Sequence, residues 1–105
     1  MRKTKINIGN RDYVLSLTRK SVEWLESQGF NVADVEKKPI TSYMLMFRAG
    51  FIQDYPEVDG EKLYDQYEAE GGDASEVVSF LIEEYANFIK SLADTKSKKK
   101  KMEIL

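Results

Sequence analysis

The groups in this chain that could do chemistry are carboxylates, lysines, arginines and tyrosines, because it contains neither His nor Cys. That absence removes the usual zinc sites, the Ser-His-Asp and Cys-His arrangements, and the commonest general base near neutral pH. It also removes any disulfide framework. No Gly-rich phosphate loop, dinucleotide fingerprint or paired-carboxylate motif of defined spacing is present. Asp59-Gly60-Glu61 invites a calcium-loop reading. Aligned on Gly60, however, the loop has Tyr55 where the first Asp belongs and Gln66 where the bidentate Glu belongs, so both end ligands are missing. The residues therefore predict no enzyme, no metal and no cofactor.

Charge is the next candidate for function. Net charge is −2, but residues 1–20 hold Arg2, Lys3, Lys5, Arg11, Arg19 and Lys20 against Asp12, whereas residues 54–84 hold eleven acids against Lys62. Lys96 and Lys98 through Lys101 make the tail basic again. Such a field either steers a charged partner or a second copy of the chain, or is simply a set of solvated faces. The lysine run lacks interleaved aromatics and the body is acidic, so specific nucleic-acid recognition is not expected.

The elements that would carry these groups read as a hairpin followed by helices. Lys5-Ile6-Asn7-Ile8 alternates, Gly9-Asn10 tolerates positive φ, and Asp12-Tyr13-Val14-Leu15-Ser16-Leu17 is rich in strand formers. Two strands are marginal in water, so the hairpin must rest on a helix or pair with another edge. Thr18 is placed to cap a helix over Arg19–Gln28, which Gly29 stops. Val22 and Leu25 turn with the hairpin's apolar face, and Trp24 covers the side or anchors a partner. Phe30–Val35 is a short strand or a turn whose Phe30 and Val32 plug the core, and Glu36-Lys37-Lys38 is exposed.

Pro39 launches a helix to Ile52 that is apolar almost all round. Ile40, Tyr43, Met44, Phe47 and Phe51 share one face, and Leu45, Met46 and Ile52 fall off it. Each large apolar side chain buried stabilises by about 1.5–3 kcal/mol, so this segment is a central core helix or one whose spare face meets a partner. Asp54–Gly60 is a loop, Asp59 caps a short acidic helix over 61–69, and Leu63, Tyr64 and Tyr67 form its apolar side. Gly71-Gly72 ends it. Asp73 and Glu76 match a capping box ahead of a helix whose stripe is Val77, Val78, Leu81, Ile82, Tyr85, Phe88, Ile89 and Leu92, with Glu83, Glu84, Asn87 and Lys90 opposite.

The expected fold is α+β, mostly α, with an N-terminal hairpin packed on about four helices. One globular domain spans 1–94 and a disordered basic tail spans 95–105. The basic start lacks the apolar run of a secretory signal, and no segment approaches the ~18 consecutive apolar residues of a membrane span, so a soluble, cytoplasmic protein without membrane contact is expected.

This order of elements resembles the tail assembly chaperones of long-tailed phages and prophages, such as those of Gram-positive hosts. The likeness rests on the Lys5–Asn10 hairpin, the helix closed by Gly29, the Pro-led apolar helix, the acidic helix ending Glu70-Gly71-Gly72, and Val77–Phe88. It implies a non-enzymatic protein that binds the tape measure protein, keeps it soluble and helps tail tube protein assemble around it. It also implies action in the host cytoplasm and absence from the finished particle. Self-association is compatible with that role, and a small structural or adaptor protein of the virion is the alternative. Many such chaperones are also made in a longer, frameshifted form. The Lys98–Lys101 codons are a candidate slippery run, or else an ordinary solvated tail. Helix-in-groove recognition makes Tyr43, Met44, Met46, Phe47 and Phe51 the expected client groove.

Overall fold

A computed structural model describes residues 2–93 and 103–105. The fold is α+β and mostly α. Strands β1 (Lys3–Ile8) and β2 (Arg11–Ser16) pair antiparallel, from Ile8 opposite Arg11 to Lys3 opposite Ser16. Gly9 and Asn10, at φ 59° and 65°, supply the two left-handed residues that a two-residue hairpin loop needs to match strand twist. Alternation then turns Ile6, Ile8, Tyr13 and Leu15 inward, where all four are buried. The outer edge of β2 is covered over its second half: Ser16 N–H donates to Gly50 O at 3.3 Å and Val14 N–H to the Tyr55 hydroxyl at 3.0 Å.

Helix α1 (Arg19–Ser27) begins with a reciprocal cap, because Ser21 N–H donates to Thr18 Oγ1 while Thr18 N–H donates to Ser21 Oγ. Gly29, at φ 75°, closes it. The next stretch is a turn, not a strand. Phe30 packs edge-on against Tyr85 with ring centroids 5.5 Å apart, but Val32 is 55% exposed and does not plug the core. The cause is local: the Asn31 side chain accepts the Ala33 N–H at 2.9 Å, and this tight turn throws Val32 to its tip. A single helical turn, α2 (Asp34–Lys37), follows.

Helix α3 (Pro39–Ala49) is central, touching α1, α2, α4 and α5, but it ends three residues before Ile52. Its buried side is Ser42, Met46, Phe47 and Ala49, while Ile40 is 86% exposed, so the expected face is rotated. Small Ser42 and Ala49 let neighbouring elements approach closely, and Met46 fills the space between them. Phe51 lies in the turn beyond the helix, where helical period no longer sets its direction.

Helix α4 (Gly60–Ala69) is capped by Asp59, whose carboxylate accepts the Lys62 N–H. A Cβ at Gly60 would stand 2.7 Å from Arg48 Cγ, so only glycine allows this crossing of α4 over α3. Helix α5 (Ala74–Ala93) starts at Asp73, which accepts the backbone N–H groups of Ser75 and Glu76. The expected tail, 95–105, lies outside the described residues except for its last three, and so does Lys98–Lys101.

Candidate client-binding surface

The five residues expected to form a client groove separate in the structure. Met46, Phe47 and Phe51 are buried to 1% exposure or less. Phe47 meets Tyr64 edge-on at 5.1 Å and lies 5.3 Å from Phe51, which in turn meets Tyr13 edge-on at 5.4 Å. Such edge-to-face pairs add to area burial, so these rings hold α3, α4 and the hairpin together. In this folded state they present no surface to a partner. Tyr43, which packs against the core, and Met44 remain half-buried on α3, and Ile40 is exposed. Trp24 is also half-buried, with the Arg48 guanidinium 5.0 Å over its ring.

The larger apolar surface lies elsewhere, on the second half of α5. The stripe on this helix is buried at Val77, Val78 and Leu81, half-buried at Ile82, Tyr85 and Phe88, and exposed at Ile89 (42%) and Leu92 (56%). Geometry explains the gradient. A helix of 20 residues runs about 30 Å at 1.5 Å per residue, more than twice the length of α1, which meets its far half only across an open hollow. A groove of about 330 Å³ opens between them, walled by Val22, Phe88 and Leu92 and rimmed by Arg19, Glu23 and Glu26. On the other flank Ile82 joins Val32 and Val35 around an open hollow of about 460 Å³. Among the described residues nothing covers Ile89 or Leu92.

Glu84 divides the two halves of α5, and it is not on the polar side expected for it. The residue is 5% exposed. Its carboxylate accepts the Arg2 backbone N–H at 2.9 Å and the Arg2 guanidinium at 3.0 Å, and Asn87 adds a longer bond. Arg2 also pairs with exposed Glu83 and lies 5.1 Å over the Phe80 ring. Burial pushes the Glu84 carboxyl upward, but the hydrogen bonds and charge of Arg2 outweigh it and hold the group below its ordinary value. The partner is 82 positions away, so helical periodicity carried no sign of it. Beside this clasp a second hollow, lined by Leu17, Glu84, Asn87, Phe88 and Ser91, extends the groove along α5.

The arrangement is an apolar trough with a carboxylate fixed at its inner end and mixed charge along its rim. It can accept the apolar face of a helix while water keeps the rim solvated. On α4 the acidic surroundings act on tyrosines: burial, then Glu68 and Asp65, raise the Tyr64 hydroxyl above its ordinary value.

No helix among the described residues is long and apolar enough to cross a membrane. No curated protein and no solved structure matches the chain. A domain family described as a domain of unknown function (DUF5055) matches residues 1–105, and the chain belongs to that family.

Proposed function

We propose that this protein is a tail assembly chaperone of a long-tailed phage or prophage. It binds amphipathic helices of the tape measure protein in the host cytoplasm, keeps that chain soluble while tail tube protein polymerises around it, and is left out of the finished particle. The reading rests on the order of elements, from hairpin to final amphipathic helix. The observation that carries it is the uncovered apolar end of α5, where Phe88 and Leu92 line a hollow with α1 and Ile89 is exposed, on a helix whose stripe is buried at Val77, Val78 and Leu81. A chaperone for an aggregation-prone helix needs apolar surface framed by charge, so that it holds its client without joining its own copies. Tyr43, Met44 and Ile40 on α3 offer a second, smaller contact.

Co-expression with the tape measure protein of the same genome tests the reading. The expected result is a soluble tape measure protein that co-purifies with this chain. A tape measure protein equally insoluble with and without it overturns the proposal, and copies of the chain in purified particles favour the virion-adaptor alternative. Expression from the native gene adds a check: a minor longer product, lost on synonymous change of the Lys98–Lys101 codons, establishes frameshifting.

A further inference from the structure

The hairpin has two outer edges, and they are treated differently. On β2 the Asp12 N–H points outward without a partner among the described residues, while those of Val14 and Ser16 bond to Tyr55 and to Gly50. Their cross-strand partners are Lys5 and Lys3, and in an antiparallel ladder partners share orientation, so Lys3, Lys5 and Asn7 direct their N–H and C=O groups away from β2. Among the described residues these groups have no hydrogen-bond partner. The three side chains are exposed, and neither Lys3 nor Lys5 is ion-paired to a described residue. Past the end of β1, in the turn, Gly9 N–H donates to both carboxylate oxygens of Glu70 at the end of α4, at 3.0 and 3.2 Å, so an acid already pairs with backbone N–H at the turn end of this edge.

We propose that the outer edge of β1, from Lys3 to Asn7, docks an extended acidic segment of another protein as a third strand. Backbone pairing supplies the affinity, and acids at alternate positions meet Lys3 and Lys5. A second copy of this chain is a poorer occupant. A two-fold antiparallel pairing centred on Lys5 sets Lys5 against Lys5 of the copy, and like charges directly opposite destabilise. Lysines on an edge repel such copies while leaving the edge open to an acidic strand.

Amide exchange of the whole chain, followed by NMR, tests this with a capped peptide of alternating Glu and Val. Free protein should exchange the Lys3, Lys5 and Asn7 amides rapidly, and the peptide should slow all three at least tenfold. The same peptide with Lys for Glu should not. The double variant Lys3→Glu, Lys5→Glu should reverse that preference. Lys5→Pro removes an outward N–H without breaking a bond to β2, so it should abolish protection while circular dichroism stays unchanged. Should that variant fail to fold, the charge reversal alone decides. Three amides already protected in the free chain, protection that grows with protein concentration alone, or equal protection by both peptides would overturn the proposal.

Discussion

The two halves of α5 carry the same apolar period but different fates. Val77, Val78 and Leu81 are buried on the half of the helix that packs with α3 and α4, whereas Ile89 and Leu92, further along the same stripe, are exposed. An amphipathic pattern states which side of a helix is apolar. It does not state how far along that side the rest of the protein reaches. Where the cover runs out, the surplus stripe is left exposed.

The strongest way to break this comparison is to cut the buried half. Leu81→Ala removes a side chain with no exposure, and urea denaturation should show a loss of about 2–5 kcal/mol from transfer and cavity terms together. A loss under 0.5 kcal/mol would mean that the first half of α5 is not core.

Acid probes the boundary between the halves. The Glu84 carboxyl sits below its ordinary value of 4.5 when folded, so the unfolded chain binds that proton more readily. Its contribution is present in full above the unfolded value and is lost as pH falls through the folded one. Glu84→Gln should therefore be less stable at pH 7 and should lose less on acidification, read as melting temperature against pH. Glu70 and Asp73 are also held low, by Gly9 N–H and by Ser75 respectively, and they leave a residual acid sensitivity in the variant. Parallel melting profiles for the two proteins would contradict this account of the clasp.

A smaller effect is expected at α1, which walls the groove. Thr18→Ala deletes one arm of its reciprocal cap and should lower stability by about 1 kcal/mol, with Thr18→Ser restoring it. The smallest belongs to the open half: Ile89→Ser with Leu92→Ser should change stability within about ±0.5 kcal/mol, as exposed positions do. The same pair should nonetheless lower client solubility in co-expression. A variant that unfolds the protein would place these residues in the core instead.

What was legible in the sequence follows the same division. Gly9-Asn10, Thr18, Asp59 and Asp73 act within a few residues of themselves, and each turn or cap forms where its chemistry predicts, although at Asp73 the return bond to Glu76 that would complete the expected capping box is absent among the described residues. The side of α3 that is buried was not legible, because an apolar surround gives no preferred direction and packing against four neighbouring helices decides it. Ile40 was lost to solvent for that reason, and Met46 was gained by the core. Glu84 reads as a surface acid until Arg2 arrives from the far end of the chain. The surplus of α5 depends on the lengths of other elements, which no stripe of its own records. Of the residues expected on α3 only Tyr43 and Met44 keep partial exposure, and the larger apolar face lies on a helix whose whole apolar stripe reads as core.

Site-specific photo-cross-linking in cells making both proteins tests the central claim most directly. A photoreactive residue at Leu92, in the open trough, should yield an adduct containing the tape measure protein, and one at the exposed Lys62 on acidic α4 should not. Adducts from Lys62 with none from Leu92, or none from either position, would contradict the claim that the end of α5 holds the client.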